Sequence, residues 1–500
     1  MTPAAAPAPG APGAAGGRDR RYEAVIGLEV HVELATATKM FCGCANRFGA
    51  EPNTLVCPTC LGLPGSLPVL NRAVVDLALR FGAALGFRVP EESIFARKNY
   101  FYPDMPKDYQ ISQYEEPLLV DGAIEVDGVT IGIERAHLEE DTGKITHLGG
   151  GGRIHDAAHS LIDDNRAGVP LMEIVSRPDL RSGEQARAYV AELRAVLEAL
   201  GVSDVKMEEG SLRIDANVSV RPVGAERLGT KVEIKNMNSL RSLSRAIDFE
   251  IDRQVALAEA GRPVVQETRH WDEDAGVTQA MRTKEGSEDY RYFPEPDLVP
   301  LAPTPEMLAR ARATVPELPA ARRARLVAEW RISEADARVL VARRDLADYA
   351  EAAVAAGAPG PQVANWCTGE ILSYLNDTGM QAHVLPLPPD GLAELVALVA
   401  DGTLSRPLAK DVLGTCLREP KRPRQVVAER GLAQVSDEAE LARVVDEVLA
   451  GHPADVEAYR AGDDKARKRK RGFLMGEVMR ATAGRGNPQV LARLLEQRLG

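Results

Sequence analysis

Residues Val25 to Leu34, VIGLEVHVEL, decide how the rest of the chain is read. They alternate strictly. Ile26, Leu28, Val30, Val32 and Leu34 fall on one face of a strand, and Glu29, His31 and Glu33 on the other. A wholly apolar face packs on a core. The opposite face then carries two carboxylates and an imidazole, spaced about 6–7 Å apart on a rigid element. Such groups hold Mg²⁺ against phosphate oxygens. A solvated strand face that happens to be acidic is the competing account.

Two further segments repeat the design. In Met207 to Arg221 (MEEGSLRIDANVSVR), Leu212, Ile214, Ala216, Val218 and Val220 share one face. Glu209, Ser211, Arg213, Asp215, Asn217 and Ser219 share the other, which predicts one long strand. Val232 and Ile234 then oppose Lys231, Glu233 and Lys235. Three strands with greasy backs and polar fronts predict an antiparallel sheet whose open face sets acids for metal beside cations for phosphate. Nucleotide-dependent phosphoryl transfer needs that equipment, because positioning and charge neutralisation do most of its catalysis.

Length and composition bound the answer. Five hundred residues predict about three domains. The formal charge of 61 − 73 = −12 argues against nonspecific adhesion to nucleic acid or membrane, though not against a local basic patch. No apolar run is long enough to span a bilayer. Residues 1–21 are rich in Ala, Pro and Gly, with no signal-peptide core, and are expected to form a disordered tail on a cytoplasmic protein. Cysteines there are reduced thiols or metal ligands. Cys42, Cys44, Cys57 and Cys60 form two close pairs twelve residues apart, the spacing of a closed structural Zn²⁺ site. Cys367 and Cys416 read as small core residues.

Residues 22–300 mix strands with helices expected near 73–85, 183–200 and 239–260, the second capped by Ser182 and Gly201. From Thr304 the texture is helical, with helices expected at 306–314, 320–329, 333–341, 345–355 and 362–378. Leu385 to Asp390, with three prolines, reads as a linker, dividing a helical domain (301–390) from a helical tail (391–500). Within the tail, Lys465, Arg467, Lys468, Arg469, Lys470 and Arg471 crowd one helix start, a candidate contact for a phosphate backbone.

Other motifs are individually weak. Glu139, Glu140 and Asp141 are adjacent acids that repel one another unless a cation shares them, with His137 nearby. Asp163 to Pro170 reads as a turn before a buried strand, with Arg166 a candidate phosphate clamp. Arg97 to Lys107 interleaves Lys98 and aromatics; it either stacks on a base or is an ordinary packed loop. There is no Walker A loop: Gly143-Lys144 runs into Ile145, and Gly149–Gly152 is a plain glycine turn. No amidase-type serine motif or cysteine nucleophile is evident, so ammonia release from an amide is not expected of this chain.

Over residues 22–500 the sequence resembles the B subunits of the aspartyl/glutamyl-tRNA amidotransferases, the GatB/GatE family. The resemblance rests on 25–34, RKNYFYPDMPKDYQISQYEEPL (97–118), LIDDNRAGVPLMEIVSRPDL (161–180), MEEGSLRIDANVSVRP (207–222), and the run from Gln266 through Met281 to Leu298. Gly472 to Met479 and Gly484 to Pro488 resemble the family's tail domain. The resemblance implies an α+β fold: an antiparallel cradle related to glutamine synthetase, then a helical domain and an all-α tail that grips tRNA. It implies that ATP phosphorylates the side-chain carboxylate of Glu on tRNA(Gln), or of Asp on tRNA(Asn), and that ammonia displaces the phosphate. It also implies a heterotrimer, with an amidase (A) subunit supplying ammonia and a small C subunit clasping both. The implied Mg²⁺ ligands are Glu29, His31, Glu140 and Glu209, with Arg213 alongside. Lys98, Arg166 and Lys235 are the expected nucleotide contacts. The family's Zn²⁺ is a scaffold feature carried by the four cysteines. A free-standing small-molecule carboxylate–amine ligase and a non-catalytic RNA-binding scaffold are the alternatives.

Overall fold

The computed structural model describes residues 21–149, 157–283, 290–432, 438–482 and 486–500. The expected tail, apart from Arg21, lies outside them, as do residues 150–152 of the glycine turn and Gly484–Arg485. The strands are β1 (Tyr22–Glu33), β2 (Ala96–Asn99), β3 (Tyr109–Ser112), β4 (Leu119–Val126), β5 (Val129–Glu140), β6 (Lys144–Leu148), β7 (His159–Asp163), β8 (Pro170–Ser176), β9 (Leu212–Pro222), β10 (Val232–Lys235), β11 (Glu267–Asp272), β12 (Val277–Thr283) and β13 (Phe293–Pro294). The first four helices are α1 (Arg72–Ala84), α2 (Gly183–Ala199), α3 (Leu240–Glu259) and α4 (Pro305–Ala313).

Eight strands form one sheet in the order β12-β11-β10-β9-β1-β8-β5-β4, antiparallel except for β10–β11. One face of it is the core. Ile26, Leu28, Val30 and Val32 of β1 are buried with Leu212, Ile214 and Val218 of β9 and with Leu79, Val190, Leu193 and Ile247 from α1, α2 and α3. Asn71, Ser182 and Ser239 cap these helices by accepting backbone N–H bonds. A three-stranded sheet (β13-β2-β3) and a hairpin (β6-β7) complete the unit.

Two expectations about organisation change. The first compact unit runs to Leu318, not 300, because α4 packs its Met307, Leu308 and Ala311 on the sheet domain's core. Arg310 reaches Asp76 of α1 at 2.7 Å. In the second unit the break is not at 390. Leu387 is fully buried, and one core runs from Leu326 to Val427. The prolines of 385–390 start a helix rather than link domains, since Pro is favourable at the first helical position. A separate core begins at Leu441 and joins Glu438–Gly451, Pro453–Ala461, Asp464–Ala481 and Pro488–Leu499. Residues 362–378, expected as one helix, contain a wider π-turn at Cys367–Ile371. No helix among the described residues is long and apolar enough to cross a membrane.

At the β11–β12 edge the sheet is tied down by a buried carboxylate. Glu250 of α3 is fully buried and accepts bonds from Arg253 (2.7 Å), Gln254 (2.8 Å) and Thr278 (3.0 Å), with Arg269 at 3.7 Å. Removing one member of such a network strands the others. Glu250→Ala is expected to destabilise the first unit by about 3–5 kcal/mol, read as a lower urea midpoint for the tryptophan signal of Trp271. Glu250→Gln should cost less.

Candidate functional site

The face of the sheet opposite the helices carries polar side chains in register. β1 is central, paired with β8 on one side and β9 on the other. His31 stands opposite Glu173 and Arg213, and Glu173 opposite His137 of β5. One line across four strands therefore reads Arg213, His31, Glu173, His137. Glu29 stands opposite Asp215. Cross-strand partners project to the same side, so register alone assembles the cluster.

His31 Nε2 lies 3.6 Å from Glu173 and 3.8 Å from Glu139, and His137 Nε2 lies 3.2 Å from Glu173. One ligand atom each from His31, Glu139 and Glu173 falls within a 4.8 Å group. Ligands about 2.1 Å from a shared Mg²⁺ lie roughly 3–4 Å from one another, so this donor set fits a divalent ion. His137 Nδ1 is buried without a hydrogen-bond partner. Burial opposes charge on His137, but Glu173 and Glu139 override it and push its imidazole up to about 9. His31 is raised for the same reason. The two imidazoles in turn hold Glu173 well below the usual carboxylate range, against the opposing effect of its burial.

A second trio, Glu29, Asp215 and Glu233, shares the face, and Lys235 pairs with two of its members, at 2.5 Å from Asp215 and 3.1 Å from Glu233. Asn217 donates to Glu29 at 2.9 Å. Beyond Arg213, Asp141 accepts from its guanidinium at 2.8 Å, with Arg166 at 3.6 Å. Glu33, desolvated and beside Asp141, is pushed up to about 8. Tyr292 borders the cluster: burial and then the charges of Glu139 and Glu173 raise its phenol. Its ring stacks on Tyr114 at 4.2 Å.

The expected ligand set is partly rearranged. Glu29 and His31 face the site, and so does Arg213. Glu140 does not share their face, because consecutive strand residues point to opposite sides. It is buried on the reverse of β5, where it pairs with Lys107 and accepts from the Ile111 N–H at 2.9 Å. Glu139 occupies the facing position instead. Glu209 is displaced too. β9 begins at Leu212, so 207–210 is a turn closed by Gly210 at φ +83°, and alternation does not extend back to it. Glu209 pairs with Lys206 at 2.7 Å. Arg166 spends its guanidinium on the carbonyls of Thr142 (3.0 Å) and Gly143 (2.9 Å), which makes it a loop tie rather than an open clamp. Lys98 lies over the Tyr290 ring at 4.8 Å, and Lys235 is held as above. Glu173 escapes sequence reasoning because its strand, LMEIV, reads as buried; one acid inside that apolar run is the available signal.

Behind the sheet, Cys42, Cys44, Cys57 and Cys60 place all four sulfurs within 4.8 Å of one another, Cys57 to Cys60 at 3.9 Å. Tetrahedral Zn–S bonds of about 2.3 Å require S···S near 3.8 Å, so the cage fits Zn²⁺. The Cys42–Cys60 hydrogen bond lowers the Cys60 thiol and raises that of Cys42, so one proton is shared between the two sulfurs. In the second unit the basic run opens the helix Asp464–Ala481. Lys470 pairs with Asp455, Arg471 with Glu496, and Arg467 reaches the Arg460 carbonyl at 3.2 Å. Lys465, Lys468 and Arg469 are exposed.

The family model of the GatB/GatE catalytic domain matches residues 24–309, and that of a GatB domain matches residues 348–499. The chain is 52% identical over 487 residues to the B subunit of the aspartyl/glutamyl-tRNA(Asn/Gln) amidotransferase of Thermosynechococcus vestitus, covering 96% of each. It is 54% identical over 482 residues to the protein of the same name in Moorella thermoacetica, covering 96% of this chain and 100% of that protein.

The imidazoles set a pH response. His137 is raised from an ordinary value near 6.5 to about 9, so its pairing stabilises the fold fully below about 6.5 and is lost as pH rises through 9. Without divalent ions, melting temperature should fall between pH 6.5 and 9.5, by at most about 3 kcal/mol of stability. His137→Gln should flatten that part of the profile.

Proposed function

The chain belongs to the GatB/GatE family, and from that premise we propose that it is the transamidating subunit of a tRNA-dependent amidotransferase. Its substrates are Glu-tRNA(Gln), Asp-tRNA(Asn) or both. The γ-phosphoryl group of ATP passes to the side-chain carboxylate, releasing ADP. Ammonia then attacks the carbonyl carbon, the phosphate leaves, and a proton is lost as the amide forms. A bare carboxylate resists nucleophiles because of its charge; the acyl phosphate supplies a leaving group.

The observation that carries this reading is the His31–Glu139–Glu173 group beside Arg213 on the open sheet face. Those three side chains would hold Mg²⁺, which when bound neutralises phosphoryl oxygens. Arg213, held by Asp141 at 2.8 Å, presents a fixed positive charge to the same anion. Glu33, held at about 8, exchanges a proton near neutrality, where ammonia must lose one. The cysteine cage holds structural Zn²⁺. An amidase partner supplies the ammonia and a small third subunit completes the cytoplasmic complex, with the sheet domain a cradle akin to glutamine synthetase. Lys465, Lys468 and Arg469 meet the tRNA backbone.

The test uses the assembled complex with misacylated tRNA, ATP and ammonium chloride as nitrogen donor. Glu139→Gln and Glu173→Gln should each lower amide formation by about 10²-fold or more, while glutamine hydrolysis by the partner persists. Unimpaired amide formation in both would end the assignment, and amidation of free glutamate without tRNA would favour a small-molecule ligase. Replacing Lys465, Lys468 and Arg469 together by Ala should weaken tRNA binding and flatten its dependence on salt. Lys470→Ala should instead loosen the helical bundle, read by its melting.

A further inference from the structure

Lys39 is fully buried, an expensive place for an ammonium. Its Nζ donates to the Ala167 carbonyl at 2.7 Å and the Asp164 carbonyl at 3.3 Å, and to Cys60 Sγ at 3.8 Å. Asp164 bonds it through its main chain; no salt bridge to Lys39 is formed among the described residues, though the Asp164 carboxylate lies near enough to feel its charge. Two carbonyls satisfy hydrogen bonds but do not balance a charge. Four thiolates around one Zn²⁺ carry a net charge of −2, also costly to bury. The charges of lysine and cage are opposite and adjacent, so each offsets the other's desolvation. The same lysine grips the 164–168 turn, whose Arg166 holds Thr142, Gly143 and Asp141 at the end of β5.

Resting on the structural-zinc reading above, we propose that Lys39 is an outer partner of the zinc cage. It donates to the Cys60 sulfur, balances part of the cage's negative charge and ties the metal to the 164–168 turn that positions Asp141 beside Arg213. It is a positioning residue, remote from the reacting atoms. Outer partners of this kind alter metal affinity about 10–100-fold.

The experiment compares wild type and Lys39→Met, which keeps the stem and removes the charge, in the assembled complex. Zinc release to a chromogenic chelator should be about 10–100-fold faster in the variant at matched circular dichroism. In Co²⁺-substituted protein the thiolate-to-metal charge-transfer bands should shift, a readout that packing alone would not move. Unchanged release and unchanged bands overturn the proposal. A wild-type protein that purifies without zinc, with all four thiols open to alkylation, defeats the zinc reading instead. If Lys39→Met does not fold, hydrogen exchange of wild type before and after zinc removal decides. Protection should be lost at 164–168 together with 39–44, and retained protection at 164–168 overturns the tie.

Discussion

Everything on the open face depends on the register of β1 between β8 and β9. A strand has a side-chain period of two, so the packing of Ile26, Leu28, Val30 and Val32 against three helices leaves His31 and Glu29 no other direction. Those apolar contacts fix where the imidazole stands, and the neighbouring strands fix what it meets. A slip of one residue would bury two acids and a histidine in the core, at a cost far above the stability of the unit. The positions of the site's groups are thus enforced by hydrophobic contacts on the reverse of the same strands.

How much of this is legible in the sequence follows from the same period. Glu29, His31, Arg213 and Asp215 are readable because their strands have one apolar and one polar face. The cysteine cage is readable because its spacing is local. Glu173 is not, because Leu171, Met172, Ile174 and Val175 surround it with the composition of a strand buried on both sides, and only pairing with β1 and β5 reveals its partners. Glu209 misleads for the opposite reason: alternation extrapolated through Gly210 breaks down, because a left-handed backbone there ends the strand's logic. Kinship points to Glu140, where a strict count from His137 favours Glu139. In the helical part, three prolines near 388 look like a hinge, yet Pro is compatible with a helix start, and burial of Leu387 cannot be seen locally.

Charge on the face is graded along the sheet. Lys235 pairs with Asp215 and Glu233, and Arg213 and Arg166 satisfy Asp141. Between them, Glu139 and Glu173 face His31 and His137, whose charge, unlike that of a lysine or arginine, can be given up as a proton when another cation takes its place. That corner is thus the part of the face where an external cation can replace an internal one.

Glu139 and Glu140 share one rigid peptide yet serve opposite sides of the sheet, one among the imidazoles and the other in the pocket bounded by Lys107, Phe41 and the cysteine cage. The sheet thus keeps two neighbouring carboxylates apart: whatever meets Glu139 does so on one side, while Lys107 holds Glu140 on the other.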